Sequence, residues 1–280
     1  MIRLSDKKDI NSIIQLWSEC FGDTEADVRF FLDNCYIETN TLIYEVNGEI
    51  ASMLFLLEGD MSVEGIDYPS YYLYAACTSE KYRGKGLMAE LLSFAKTVAA
   101  ERKKSFICLR PAEESLFDFY EKHGYKTVFY IKRAEYIIKD LSDIVSDKPV
   151  FTSVNRDEIR NSAFSSLSFF KWRKESVDFA FLHNDFFGGK SSETCKGYSL
   201  YTTSDVGLCV KETTFADVFS VAKMIERTLL NSSDRLIINY PPFGNVDGIT
   251  TPFGMILAID NNAEKIIKNL SNAYLGLTLE

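Results

Sequence analysis

Tyr82-Arg83-Gly84-Lys85-Gly86-Leu87-Met88 lies between a tyrosine-rich run, Ser70 to Thr78, and a segment carrying Met88, Leu91, Leu92, Ala95, Val98 and Ala99 along one stripe. The run before it reads as a strand and the segment after it as a long amphipathic helix, because the apolar residues change to helical spacing. A helix that follows a strand through such a loop leaves several unpaired backbone N–H groups pointing at one spot. Glycine at 84 and 86 lets the backbone turn sharply and approach an anion closely. The positive end of the helix dipole adds roughly 0.3–1 kcal/mol for a negative group, and Arg83 and Lys85 place charge beside it. In physical terms this is a cradle for a phosphate or diphosphate. It is neither a Walker A loop nor a G-x-G-x-x-G dinucleotide fingerprint.

Upstream, Ile2-Arg3-Leu4 reads as a first strand, and Asp6 can cap a helix bearing Ile10, Ile13, Ile14 and Trp17. A second helix carries Val28, Phe31 and Leu32, and Asn47-Gly48 joins two β-type runs, Thr41 to Val46 and Glu49 to Leu57, as a hairpin. Downstream come a buried strand, Phe106 to Leu109, a short helix from Ser115 with Leu116, Phe117 and Tyr120, and a strand from Tyr125 to Tyr136. This order gives an α/β (α+β) mixed sheet with helices on both faces.

The polar stretch from Lys139 to Val154 places a boundary, with domains expected at residues 1–139 and 150–280. Beyond it we expect a hairpin from Gly197 to Val210, a helix from Ala216 to Leu230 and strands from Leu236 to Tyr240 and Phe253 to Ile259. A helix from Asn262 to Asn272 and a closing strand from Tyr274 to Leu279 complete the chain. Phe169, Phe170, Trp172 and Phe181 read as the core of the second domain rather than a substrate cage.

The 280 residues carry a net charge of −9, with no basic run longer than Arg102-Lys103-Lys104, which argues against nucleic acid as a partner. A cationic substrate suits that balance, although an acidic surface also serves solubility alone. The longest mainly apolar stretch, Ile50 to Leu57, is too short to span a bilayer. The N-terminus is charged from the start and lacks a signal-peptide core. Six scattered cysteines and two histidines, His123 and His183, form no metal-ligand spacing, so no metal is expected and the thiols read as reduced ones in a cytoplasmic protein. Oligomeric state is not encoded in any motif.

Arg83-Gly84-Lys85-Gly86-Leu87-Met88 resembles the Q/R-x-x-G-x-G/A motif of the GNAT N-acetyltransferases, with Met88 where the pattern takes Gly or Ala. Element order and Phe119-Tyr120-Glu121-Lys122-His123-Gly124-Tyr125 extend the resemblance over about residues 1–136. The large residue at 88 is similar to the tandem-domain branch of the enhanced-intracellular-survival acetyltransferases. The resemblance implies a GNAT-like first domain followed by a degenerate GNAT-like second one, where Thr213-Thr214-Phe215-Ala216-Asp217 replaces the loop without a glycine. That second domain would close one wall of the acceptor cleft.

The resemblance further implies acetyl-coenzyme A as co-substrate. Its pantetheine arm would lie along Ala76, Cys77 and Thr78, and its pyrophosphate within Arg83, Gly84, Lys85, Gly86, Leu87, Met88 and Ala89. Ser115 is a further implied cofactor contact. The acceptor would be the amine of a small molecule, which attacks the thioester directly in a ternary complex.

Acetyl transfer needs a deprotonated amine, a polarised thioester carbonyl and a proton for the leaving thiolate. A backbone N–H near Cys77 and Thr78 can polarise the carbonyl. Tyr120 matches the family's acid, and a tyrosine's ordinary pKa of about 10 keeps it protonated; by spacing alone, beside Leu116 and Phe117, it is a core residue. For the base, Glu58, Asp60 and Glu80 are candidates that each also read as solvated carboxylates. The resemblance offers the C-terminal carboxylate of Glu280 instead. Cys77 has no neighbouring His, which leaves it an inert core thiol rather than a nucleophile, and His123 suits a helix cap. A different class also fits the residues: an acyl-coenzyme A-binding sensor that keeps the loop without turnover. If Glu280 is the base, a short C-terminal extension should abolish amine-dependent thiol release while acetyl-coenzyme A affinity measured by calorimetry stays unchanged.

Overall fold

The computed structural model describes residues 1–141, 155–225, 233–242 and 246–279. In chain order the elements are β1 (Ile2–Leu4), α1 (Ile10–Phe21), α2 (Glu25–Cys35), β2 (Thr41–Val46), β3 (Glu49–Val63), β4 (Ile66–Thr78), α3 (Leu87–Glu101), β5 (Phe106–Leu109) and α4 (Ser115–Lys122). There follow β6 (Lys126–Ile137), α5 (Arg156–Ala163), β7 (Phe169–Trp172), α6 (Lys174–Phe186), β8 (Lys190–Thr194), β9 (Gly197–Ser204) and β10 (Gly207–Thr213). The last are α7 (Val218–Met224), β11 (Arg235–Tyr240), β12 (Ile249–Ala258) and α8 (Asn261–Asn269). They gather into two units. The first comprises Met1–Asp60, Tyr68–Lys126 and Met255–Asn269, and the second Met61–Asp67, Thr127–Gly254 and Leu270–Glu280.

The first unit has the strand order β1-β2-β3-β4-β5-β12. Local chemistry accounts for much of it. Asp6 accepts from Lys8 N–H at 2.9 Å and gives its own N–H to Asp9 at 2.8 Å, a capping box just ahead of α1. Thr24 and Asp27 do the same for α2. Asn47 (φ 54°) and Gly48 (φ 81°) form the expected hairpin turn. A second turn, Glu64 (φ 51°) and Gly65 (φ 78°), joins β3 to β4 and carries β3 well past the expected end at Leu57.

Strand alternation then feeds both faces. Leu54 and Leu56 join Leu73, Leu91, Ala95, Ile107, Leu109 and Leu257 in one buried cluster. Phe55 turns the other way, to Phe31 at 5.2 Å and Trp17 at 5.5 Å between ring centroids.

β5 pairs in parallel with β4 on one side and antiparallel with β12 on the other, through Met255↔Leu109, Ile256↔Cys108, Leu257↔Ile107 and Ala258↔Phe106. Thus β12 from Met255 onward and α8, which lie beyond the polar stretch after Lys139, cluster with the first unit.

In the second unit the order is β6-β11-β10-β9-β8, with β10 and β11 parallel and the other pairs antiparallel. Tyr201, Leu208, Val210, Val221, Leu236 and Ile238 make one core cluster. Phe169, Phe170, Trp172 and Phe181 are buried, as expected of core residues. Of the helix expected from Ala216 to Leu230, α7 is observed, and residues 226–232 lie outside the described residues.

The closing strand expected from Tyr274 to Leu279 does not form. Isolated bridges join Ala273 to Phe129 and Tyr274 to Phe169, and residues 275–279 carry no strand pairing. Their backbone bonds instead to a buried ion pair. Arg160 donates to Glu212 at 3.1 Å and to Leu275 O at 3.1 Å, and Leu277 N–H donates to Glu212 at 2.8 Å. Gly276, at φ 58°, breaks the extended path between them.

A fragment ending at Lys139 lacks the strand that covers the β5 edge. It should aggregate or lose cooperative thermal unfolding, because unpaired N–H and C=O groups are left in a central position; a sharp two-state transition for that fragment would refute this account.

Candidate active site

The β4–β5 ladder runs through three residue pairs, Ser70↔Phe106, Tyr71↔Ile107 and Tyr72↔Cys108. Three residues later Ala75 has φ 47°, in the left-handed region that residues with a Cβ rarely occupy. Such a conformation costs of order 1–3 kcal/mol and persists only where its surroundings impose it. Ala76, Cys77 and Thr78 continue β4 past the end of its pairing with β5, and among the described residues no strand pairs with them on that edge. On the other edge they are held firmly. Ser52 Oγ donates to Cys77 O at 2.8 Å and lies 2.9 Å from Thr78 Oγ1, while Ser79 N–H donates to Ala51 O at 2.9 Å. Nothing in the residue type at 75 signals this kink, and sequence reasoning missed it.

A single 3-10 turn, Glu80–Tyr82, leads from the strand into the loop. Gly84 (φ 74°) and Gly86 (φ 81°) are both left-handed, and a Cβ on either would meet nothing within 4 Å. The space is open, so glycine is required there for conformation. Gly86 is the N-cap of α3 and supplies no side-chain cap, and the first bond back into the loop is Glu90 N–H to Gly86 O at 3.1 Å. The N–H groups of Leu87, Met88 and Ala89 precede that bond and lack backbone partners among the described residues.

Arg83 Nε donates to Thr78 O at 3.1 Å, linking the loop to the strand end. Lys85 Nζ donates to Lys81 O at 2.9 Å and lies 4.9 Å above the Tyr82 ring. Met88 is half-buried against the cluster that contains Leu91 and Leu92, so the core accommodates the large side chain.

α4 starts at Ser115, whose hydroxyl bonds Glu113 at 3.4 Å. Tyr120, 7% exposed, meets Phe119 and Tyr125 edge-on at 5.2 and 5.5 Å. His123 is the C-cap of the helix and meets Phe119 edge-on at 4.8 Å. Tyr120 belongs to the same cluster against which Ala76 and Met88 pack, so strand end, helix start and tyrosine border one core. Behind Tyr120, burial pushes the Tyr125 phenol well above its usual pKa and keeps it protonated.

The base candidates fare differently. Glu58 is ion-paired with Lys104, whose ammonium sits 4.5 Å above the Tyr71 ring. Asp60 is buried, and Glu80 is exposed with its N–H on Glu19 at 2.9 Å. Glu280 lies outside the described residues. Cys77 is buried, and the neighbouring Cys20 thiol together with burial pushes its pKa well up.

The loop that leads into α7 in the second unit is built differently. Thr213-Thr214-Phe215-Ala216-Asp217 leads to α7, and Asp217 is the N-cap. Its carboxylate accepts from Ser220 N–H at 2.8 Å and from the Ser220 hydroxyl at 2.7 Å. An anion of the protein's own therefore sits where an external one would bind. Among the described residues no group of His, Cys, Asp and Glu is placed to hold a metal, and no helix is long and apolar enough to cross a membrane.

A kinked strand end, a double-glycine helix start and a buried tyrosine on the following helix thus stand together in the first unit. Residues 1–128 match the family model described as "Acetyltransferase (GNAT) domain". No curated protein sequence matches the chain.

Solved structures share its fold over nearly its whole length. A GCN5-related N-acetyltransferase from Kribbella flavida superposes with a TM-score of 0.71 at 15% identity, over 94% of this chain and 73% of that one. A probable N-acyltransferase from Enterococcus faecalis gives 0.72 at 11% identity, with the same coverages of 94% and 73%. Eis1 from Mycobacterium abscessus gives 0.66 at 12% identity, over 93% and 74%.

Replacing Gly86 by Ala should destabilise the protein by about 1–2 kcal/mol through the left-handed conformation alone. Denaturant unfolding measures this, and an unchanged midpoint would mean the turn relaxes.

Proposed function

We propose that the chain transfers the acetyl group of acetyl-coenzyme A directly to the amine of a small, cationic acceptor. The observation that carries this reading is the open, cationic, double-glycine N-terminus of α3 directly after the splayed end of β4. The pyrophosphate would lie on the N–H groups of Leu87, Met88 and Ala89, with Arg83, Gly84, Lys85 and Gly86 around it. The pantetheine arm would run along Ala76, Cys77 and Thr78 and add to the strand edge that β5 leaves unpaired, with Ser115 at the start of α4 as a further contact. A backbone N–H of that edge would polarise the thioester carbonyl, and Tyr120 would protonate the leaving thiolate.

The second unit binds no cofactor in this scheme, since Asp217 already caps α7. The net charge of −9 favours a cationic acceptor such as an aminoglycoside, a polyamine or an amino-acid-derived amine.

Calorimetry should give one acetyl-coenzyme A site per chain. Arg83→Ala and Lys85→Ala should each weaken it roughly tenfold, or about 1.4 kcal/mol; undiminished affinity in both would sink the cradle. A thiol-release screen over a panel of amines tests turnover. Tyr120→Phe should lower kcat roughly 10²–10⁴-fold at little change in KM. Binding without thiol release for any amine would instead support a sensor that holds acyl-coenzyme A without turning it over.

A further inference from the structure

α4 ends in a turn that folds the chain back on itself. The N–H of His123 donates to Tyr120 O at 2.9 Å, that of Gly124 to Glu121 O at 2.9 Å, and that of Tyr125 to Tyr120 O at 3.2 Å. Gly124, at φ 86°, takes the left-handed conformation that such a helix end needs. The turn brings the Tyr125 ring edge-on to Tyr120, with centroids 5.5 Å apart. Both rings belong to the buried cluster that holds Leu109 and Leu257.

Tyr125 is 1% exposed, and its hydroxyl has no hydrogen-bond partner among the described residues. Tyr71, Tyr198, Tyr201 and Tyr274 are equally buried, and their hydroxyls reach Arg102, Glu212, Ser192 and Glu212 in turn. Tyr240, in the second unit, is the other buried tyrosine left unpaired. Phenylalanine at 125 would fill the same space without leaving a polar group dry, so the hydroxyl costs stability where it stands. The titratable groups that face it are Tyr120 on α4 and Cys108 on β5, whose thiol burial keeps neutral. The members of the cluster from α3 and β12 are apolar.

We propose that Tyr125 is a positioning residue for acyl transfer, its hydroxyl donating to the Tyr120 oxygen once Tyr120 has given its proton to the leaving thiolate. This rests on the reading of Tyr120 as the acid. The amine nitrogen bonds to the thioester carbonyl carbon, the C–S bond breaks with its electron pair on sulfur, and the sulfur takes the Tyr120 proton. Tyr120 is left as a phenolate in apolar surroundings, where an uncompensated charge is costly. The Tyr125 O–H, unpaired until then, supplies a hydrogen bond to that charge and keeps its own proton. The acylated nitrogen loses a proton to solvent, and solvent returns one to Tyr120. A bond made only as charge develops lowers the barrier without tightening substrate binding.

Tyr125→Phe in the whole chain keeps the ring and removes only the hydroxyl. Its denaturant midpoint should stay or rise, because an unpaired group leaves the core; a clear fall would show that the hydroxyl is already bonded in the free protein and overturn the role. With acetyl-coenzyme A and the amine of the panel that releases most thiol, kcat should fall about tenfold at unchanged KM. The alkaline limb of its pH profile should move up, since Tyr120 holds its proton more tightly without the donor. In a Tyr120→Phe background the same substitution should cost nothing more. An unchanged kcat, or an equal fall in both backgrounds, refutes the inference. A further measurement needs no acceptor: the Tyr120 ring carbon, followed by NMR in the free chain, should titrate about one pH unit higher in Tyr125→Phe, and an unmoved titration likewise refutes it. Full turnover in Tyr120→Phe would refute the acid reading and this role with it, whereas turnover that needs Tyr120 and ignores Tyr125→Phe refutes this role alone.

Discussion

Ala75 adopts a backbone conformation that disfavours any residue with a Cβ, and the geometry of the first unit follows from how that strain is sustained. Just before it, Tyr74 is locked between Trp17 and Phe31, with ring centroids 5.8 and 5.1 Å away. Just after it, Cys77 and Thr78 are tied to β3 through Ser52, and Ser79 through Ala51. Both flanks are fixed, so the deviation falls on the residue between them. The result is a strand that starts in a parallel ladder with β5 and ends outside it. That divergence opens an edge beside the loop and leaves the start of α3 accessible.

The electrostatics of the two units differ in the same physical terms. Each has a loop that enters a helix. In the first, the N-cap is a glycine in open space and the nearby charges are cations, so the helix dipole and three N–H groups stay available to an anion. In the second, an aspartate occupies that place and satisfies the helix end itself. The Asp217 carboxylate thus satisfies in the second unit what Gly86, without a side chain, leaves unsatisfied in the first.

Short-range signals in the chain were legible to the extent that the chemistry behind them was local. Asn47-Gly48 and Gly84/Gly86 adopt the left-handed conformations their residue types favour, and Asp6 caps where its position suggests. The span of β5 and the start of α4 follow from buried runs and helical spacing. The strand expected at the C-terminal end did not form, because periodicity cannot foresee that a buried Arg160–Glu212 pair takes up the backbone groups of Leu275 and Leu277. The extension of β3 to Val63 was equally hidden, since Glu64 is an unusual residue for the left-handed half of a turn.

By itself, then, the sequence determined the double-glycine turn, the strand–loop–helix order around it and the tyrosine on the following helix. These depend on hydrogen bonds and side-chain spacing within a few residues, and such interactions are written in adjacent positions. Only the tertiary structure decided that Ala75 kinks, that β5 is completed by Met255–Ala258 from far along the chain, and that Glu19 at the end of α1 holds the N–H of Glu80. Each of these arises from segments distant in sequence pressing on one another, and no local preference of the residues involved encodes where a distant partner will lie.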